Sequence, residues 1–477
     1  MNLAAIRDVV ELTLEVPQGQ VISYDLRKLC SALGVDDPTR VVVETDDSRR
    51  ALVTIYPANP LAVMPPPSPD DMLMDRHGRI VVGRYHNGRP ARRRLFDPST
   101  GSAQRALVFG TTGAGKSRVV QYVLACEKRN RIVSWFADLK GGQSAPEAAG
   151  QVDWHATTQE EAILMLRAAV AIAEERQRRY KALGRNAFLI GQPDPLISVR
   201  IDEANRLLER GSPYREEATR LIKELGRTGR SVGVGVELDA QASHLEELGG
   251  SDTLRAMLKE GEVTLLRWSS SMMRQLVGDG LLPADAQLMP IPKTLRPHTL
   301  VSQFDPAAED EDDAPGTQGT AYLLSGPHPT SMMRHFRIGS IAPTPGLDPE
   351  ILALYGPGEP ARLEDASRDA AGAAYAARND PAAMEKLCAE LRDETEKEAK
   401  AVPPLANGKR KPSSRLEDRV LAALAAFEGP STADEVLAAV SEDGGKAVRL
   451  GSVRNALGAL ADQELVVREG HGLYALP

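Results

Sequence analysis

Cysteine is nearly missing from this chain: three occur in 477 residues, Cys30, Cys126 and Cys388, far apart and without a CxxC pair. That excludes a disulfide framework and a zinc ribbon, and makes a reducing cytoplasm the expected compartment. No uninterrupted apolar run of about eighteen residues occurs, so no membrane-spanning helix is predicted, and any membrane role would run through a membrane-anchored partner. The opening text MNLAAIRDVVELTLEV mixes acids into its apolar residues and lacks a basic start, so it does not read as a signal peptide. Aromatics are scarce at 4%, yet apolar residues reach 42% against 26% charged, ordinary globular usage that excludes wholesale disorder. Positive charge is also short: the net charge of -8 argues against a protein that coats nucleic acid by bulk electrostatics, although basic residues confined to a pore would escape that argument.

A chain of this length predicts about three domains. Residues 1–60 read as a small α/β module: an amphipathic opening segment taken as a helix, a second helix candidate from Tyr24 to Leu33, then VVVET and ALVTIYP as strands. Residues 61–77 are proline-rich and predict a linker with polyproline II character. From 78 to 342, short runs of Val, Ile and Leu alternate with longer helical text, the mark of βαβ units and a largely parallel sheet. The strand candidates are ALVFG, RIVSWFAD, LISVRID, VGVGVEL, VTLLRW and TAYLL, the last preceded by an acidic, turn-rich loop beginning at Gln303. Residues 343–412, rich in Ala, Glu and Lys, read as a partly helical tether, and 413–477 as three short helices followed by a two-stranded wing.

One loop carries the chemistry. ALVF runs into Gly110-Thr111-Thr112-Gly113-Ala114-Gly115-Lys116-Ser117 and then into the helical text RVVQYVLACEK, the strand, loop and helix order of a phosphate-binding P-loop. Glycines let backbone N–H groups converge on phosphate oxygens, and the helix N-terminus adds its positive dipole end. Lys116 is expected to reach the β- and γ-phosphates and Ser117 to ligate Mg2+, which makes ATP and Mg2+ the expected cofactors. LISVRI then ends in Asp202-Glu203. Alone, such a pair reads as a helix cap. Downstream of a P-loop, Asp202 becomes the metal partner and Glu203 the general base for an attacking water.

At these residues the chain resembles the FtsK/SpoIIIE family of DNA translocases over roughly 80–342. The P-loop text RALVFGTTGAGKS is the first matching block. The second is Asp138-Leu139-Lys140-Gly141-Gly142 after RIVSWFA, where the family carries a DPKGG-like signature. Asp202-Glu203 is the third, and the stretch from Arg230 to Gln241 is the fourth. The resemblance implies Gln241 as polar sensor of the γ-phosphate, Arg230 as a finger reaching a neighbour's nucleotide, and Arg274 as a second candidate finger. Two positions depart from the pattern: Leu139 replaces the usual Pro, and Asp239-Ala240 the usual Ala-Thr. A motor domain followed by a tethered winged helix is similar to the TraB-type transfer proteins of conjugative plasmids and to chromosome-segregating members, which usually carry N-terminal membrane spans.

The expected fold class is therefore α/β: a RecA-like P-loop ATPase domain with a mostly parallel sheet, a small N-terminal module and a C-terminal winged helix-turn-helix. On the third C-terminal helix, Arg449, Ser452, Arg454 and Asn455 have side chains suited to base edges, with Arg468 and His471 on the wing as backbone contacts. Against this, residues 413–477 hold six Lys or Arg and ten Asp or Glu, so a protein-docking role stays open, and the basic run 408–411 stands ahead as a source of phosphate contacts. The expected activity is ATP-driven translocation of double-stranded DNA by a homo-oligomeric, hexameric ring, in plasmid transfer or segregation. The alternatives are a nucleotide-switched DNA-binding regulator and a protein-secretion ATPase of the same superfamily.

Overall fold

The structure, a computed structural model, describes residues 8–45, 49–241, 249–267, 288–294, 316–401, 416–427, 429–442, 448–462, 465–468 and 472–475. It divides into two compact units, Met1–Glu396 and Lys397–Pro477. No helix among the described residues is long and apolar enough to cross a membrane.

The first unit begins with β1 (Val10–Glu15), α1 (Leu26–Leu33), β2 (Val41–Thr45) and β3 (Arg50–Ile55), whose strands form an antiparallel sheet in the order β1-β3-β2. The opening segment was expected as a helix. Val10, Leu12 and Leu14 instead alternate with Glu11, Thr13 and Glu15, a period of two that pairs residue by residue with β3. Asp25 caps α1 by accepting from the Lys28 amide, and Gly34 ends it in a left-handed conformation.

The main sheet has ten strands among the described residues. They are β4 (Arg79–Tyr85), β5 (Pro90–Arg94), then, after the two-residue strands β6 (Phe96–Asp97) and β7 (Ser102–Ala103) of a separate ribbon, β8 (Arg105–Gly110), β9 (Val133–Asp138), β10 (Trp154–Ala156), β11 (Ile197–Asp202), β12 (Val234–Ala240), β13 (Glu262–Leu266), β14 (Thr320–Leu323) and β15 (Met333–His335). Their order is β10-β9-β11-β12-β8-β13-β14-β15-β4-β5. The first six run parallel. The last four continue the sheet antiparallel. Between strands run α2 (Lys116–Arg129), α3 (Gln159–Ala182), α4 (Asn205–Leu208), α5 (Arg215–Thr228) and α6 (Asp252–Lys259). Every residue of β8, β9 and β12 is buried, as parallel strands covered on both faces require.

Two stretches expected to be connectors are packed. Within 61–77, Leu61, Met64 and Met72 enter the main core, and Asn130 fixes the chain by donating to the Met72 carbonyl at 2.8 Å. Within 343–412, α7 (Pro349–Tyr355), α8 (Asp365–Ala377) and α9 (Pro381–Ala401) follow, and side chains through Leu391 belong to the same core. Tyr375 shows why: its ring lies 5.6 Å from Trp135 and its hydroxyl donates to Asp153 at 2.9 Å, while the Arg378 guanidinium sits 3.7 Å from the ring centroid. On α9, Met384, Cys388 and Leu391 recur at helical spacing, a short apolar stripe inside charged text. Of the acidic segment 303–319, residues 303–315 lie outside the described residues, as does the basic run 408–411.

The second unit holds α10 (Leu416–Leu424), β16 (Ser431–Thr432), α11 (Ala433–Glu442), α12 (Leu450–Asp462), β17 (Val467–Arg468) and β18 (Leu473–Ala475). The strands form an antiparallel sheet in the order β16-β18-β17, and the helices share a core of Val420, Leu424, Val436, Val440, Val453, Leu457 and Leu460. Thr432 and Glu435 exchange backbone and side-chain bonds at the start of α11, a capping box.

Candidate nucleotide site

In a parallel sheet the strands deliver side chains and loops at their carboxyl ends. Register places Asp202 beside Asp138 on one side and Asp239 on the other, Ala240 beside Phe109, and Leu266 beside Gly110. Gly110 through Ser117 thus emerge at the same sheet edge as Asp202, Glu203 and Gln241.

The loop takes its form from two left-handed glycines, Gly113 (φ 74°) and Gly115 (φ 98°), where a side chain would be strained. At Gly115 a Cβ would also meet the Gly319 amide nitrogen at 3.0 Å. The loop carbonyls are held from behind: the Gly319 N–H donates to the Ala114 carbonyl at 2.8 Å, and Arg267 donates to the Gly113 carbonyl at 2.8 Å. The first N–H groups of α2 have no intrahelical acceptors and remain for phosphate oxygens. Thr112 and Gly113 are exposed at the mouth, Thr111 and Ser117 are half-buried, and Ala114 is buried. Sequence reading overlooked Arg267. Its guanidinium donates to the Gly113 and Lys293 carbonyls and to the Thr317 hydroxyl, and its backbone sits at φ 43°, neither of which periodicity reveals.

Lys116 turns onto the acidic strand end, donating to Asp202 Oδ1 at 2.7 Å and Glu203 Oε1 at 2.9 Å. Burial favours its neutral form, but the charge of Asp202 and the two hydrogen bonds outweigh it, so the ammonium is held above its ordinary pKa. Glu203 is likewise buried, which raises its pKa, yet bonds from Lys140 and Lys116 win and keep the carboxylate below its usual range. Lys140 reaches Glu203 at 2.7 Å. It does so because Asp138 folds the intervening turn, accepting from the amides of Lys140 at 3.0 Å and Ser144 at 2.7 Å, with Gly141 and Gly142 both left-handed. Gln241 donates to the other Glu203 oxygen at 3.0 Å. Glu203 itself sits at φ 54°, a conformation that costs about 1–3 kcal/mol in a residue with a side chain.

Asp202 Oδ2 is fully buried and without a hydrogen-bond partner. An orphaned carboxylate oxygen on the residue that Lys116 contacts, with the Ser117 hydroxyl next to Lys116 in the chain, is a donor set of the hard-oxygen type that Mg2+ takes. Ser117 and Asp202 therefore fit that ion.

Asp239 is the residue whose importance the sequence hid. It is fully buried at the level of Asp202, and neither oxygen has a hydrogen bond. Arg200 lies 3.5 Å away but is already committed to Glu237 and Glu127. Burial, then the neighbouring Glu237, push the Asp239 carboxyl well above the carboxylate range. An acid with a raised folded pKa makes the native state bind more protons than the unfolded chain, so stability declines as pH rises above about 4. We predict that Asp239→Asn raises the melting temperature of nucleotide-free protein at pH 8, by roughly 2–4 °C for each kcal/mol recovered. The gain should vanish near pH 4; a melting temperature unchanged at pH 8 would show the carboxyl to be already neutralised by its setting.

The remaining candidates scatter. Arg230 is exposed and precedes β12, at the end of the strand opposite Gln241, so the structure does not bring it to its own chain's P-loop. Arg274 lies outside the described residues. Arg449, Ser452, Arg454 and Asn455 are exposed at and along the start of α12, and Arg454 lies 3.7 Å from Asp434. Arg468 is on β17, and His471 lies outside the described residues.

No family model matches the sequence, and no curated protein does. Among solved structures, the chain is similar to the pCW3 conjugation coupling protein TcpA in its monomer form with ATPγS, at 17% identity and a TM-score of 0.43, covering 70% of this chain and 87% of that one. It is similar to the cytoplasmic domain of the type VII secretion ATPase EccC from Thermomonospora curvata at 20% identity and a TM-score of 0.42, spanning 70% of this chain but only 35% of that one. VirB4 of Thermoanaerobacter pseudethanolicus is a third, at 10% identity and a TM-score of 0.33, covering 56% of this chain and 98% of that one.

Proposed function

We propose that this chain hydrolyses ATP and uses the energy to move double-stranded DNA through a ring of identical, most simply six, subunits. The observation that carries the ATPase reading is the convergence of Lys116, Asp202, Glu203 and Gln241 at the mouth of the P-loop. When nucleotide enters, loop N–H groups bind the phosphates and Lys116 transfers its hydrogen bonds from the two carboxylates to phosphate oxygens. Glu203, released from Lys116 but still held by Gln241 and Lys140, accepts a proton from the attacking water. Gln241, bonded to that carboxylate, registers the γ-phosphate. Ser117 and Asp202 would hold Mg2+, which would supply charge neutralisation on the phosphates. The base and ribose enter a 390 Å³ cavity beside the loop, lined by Gly115, Arg118, Tyr122 and Phe336, a size ordinary for small-molecule sites.

The ring reading rests on Arg230. An exposed arginine at the far end of β12 does not reach its own chain's P-loop, and the ring reading assigns it to a neighbour's nucleotide. The helix–strand–helix–helix–strand–strand order of the C-terminal unit supports a winged helix that sets α12 in the major groove. Purified protein is expected to show ATPase activity that rises several-fold with duplex DNA, the stimulation falling steeply between about 50 and 200 mM salt. Turnover that ignores every duplex removes the DNA pump while leaving the ATPase. The acidic excess of 413–477 favours a second reading for that unit alone, a protein-docking module. Stimulation that persists after deletion of those residues, with no change in DNA preference, selects it.

A further inference from the structure

The cavity beside the P-loop has one wall from an unexpected source. Besides residues of α2 and the segment after β15, it is lined by Ala62, Val63 and Met64, from the proline-rich stretch that follows the N-terminal sheet. Met64 is buried, whereas Val63 is 84% exposed and Ile341, on the cavity's other lining segment, is 90% exposed. Two aliphatic side chains thus stand almost free in water at the rim of a pocket that otherwise has the shape and lining of a binding site. Exposed apolar groups there lose contact with water when a ligand with an apolar part fills the cavity they line.

What holds this wall is Arg334. Its guanidinium donates to the carbonyls of Leu61 at 2.7 Å and Ala62 at 2.6 Å on one side. On the other it donates to Gly316 at 2.9 Å and, through Nε, to Gln318 at 3.0 Å. The next residue, Gly319, is the one whose N–H holds the Ala114 carbonyl of the P-loop. One planar cation therefore ties the linker to the strap that backs the phosphate loop. Lysine cannot make this connection, because a single ammonium lacks the fork that spans four carbonyls. Among the residues lining the cavity, Arg118, Arg334 and Arg337 are basic and none is acidic, with Arg118 paired to Asp348 at 3.3 Å and Arg334 spent on the four carbonyls.

We infer that residues 61–64 form the outer wall of the nucleoside pocket and that Arg334 is a positioning residue for nucleotide binding, coupling the N-terminal linker to occupancy of the P-loop. This rests on the ATP-site reading above and adds a consequence to it. Binding the base adds contacts to residues 61–64, so the nucleotide state is communicated to the N-terminal module through covalent continuity. The phosphates alone do not touch the wall and leave it as it is.

The test compares ADP with inorganic tripolyphosphate, which fills the P-loop and carries no base. Amide exchange at residues 61–64 of the intact wild-type chain is expected to slow with MgADP and to stay unchanged with tripolyphosphate. Calorimetry on Arg334→Met is expected to show ADP binding weakened at least tenfold and tripolyphosphate binding weakened less, because the Gly319 N–H still holds the Ala114 carbonyl of the loop. Arg334→Lys should not rescue it. Val63→Asp, at an exposed position that folding does not depend on, should weaken ADP selectively as well. A fall in both affinities together for both variants would mean general damage to the loop and overturn the inference, as would exchange at 61–64 indifferent to ADP. Wild-type protein that binds tripolyphosphate and ADP equally, with an inert linker, sinks this inference alone; wild-type protein that binds neither sinks the ATP-site reading with it.

Discussion

Lys116→Ala is expected to abolish ATP turnover and, in the absence of nucleotide, to make the protein melt at a lower temperature. The two effects have one source. With nucleotide present, the loss of the cation facing the β- and γ-phosphates removes transition-state stabilisation worth at least about 10²–10³-fold in kcat. Without nucleotide, the same ammonium pairs with Asp202 and Glu203, which are 0% and 2% exposed; Lys140 stays on Glu203, but Asp202 loses this cation, and stranding a buried charge of this kind costs about 3–5 kcal/mol. The pH dependence follows from the depressed pKa of Glu203. A carboxylate whose folded pKa lies below its unfolded value contributes stability that is complete above about pH 4.5 and fades as pH falls through the folded value. The melting gap between wild type and variant should therefore be full near neutral pH and close in acid. Scanning calorimetry from pH 8 to 3 and a coupled phosphate assay measure both. Turnover that survives the substitution would remove the P-loop from the mechanism.

Glu203→Gln is expected to separate binding from chemistry. The amide keeps the size of the side chain and an acceptor for Lys140, so the site should still close around MgATP. It cannot accept the proton of the attacking water, and kcat is expected to fall by about 10²–10⁴-fold. A fluorescent ATP analogue should bind with near wild-type affinity while single-turnover hydrolysis almost stops. If affinity and rate fall together, Glu203 acts as an anchor for Lys116 and the base lies elsewhere. The strained backbone at φ 54° favours the first outcome, because a residue held in a rare conformation is kept there by surroundings that need its side chain in one place.

The P-loop was legible because its chemistry is local. A strand, three glycines, a lysine and a hydroxyl on a helix start are fixed by neighbours in sequence, and five of the six core strands were equally plain as short aliphatic runs. The hairpin of β4 and β5 was overlooked even though Asn87-Gly88 marks its turn, with Gly88 at φ 75°. Arginines crowd its second strand and hide the alternation. The opening strand was misread for a related reason: six residues of mixed text fit both periods, and only pairing with β3 decides between them. Alanine-rich α8 looked like a solvated tether because helix text with few large apolar residues gives no sign of a partner. Tyr375 found one in Trp135 and Trp154.

By itself the sequence determined the phosphate loop, the acidic strand end and the alternation of strands and helices that must bring them to one sheet edge. Tertiary structure alone decided that Asp239 is buried beside Asp202 without a hydrogen bond, that Lys140 and Gln241 both grip Glu203, and that Arg267 and Arg334 brace the loop from behind. The division has a physical cause. Backbone conformation and helix dipoles arise from residues adjacent in the chain, whereas the cost of a buried charge and the reach of a guanidinium depend on segments hundreds of positions apart, as Arg334 and Leu61 are.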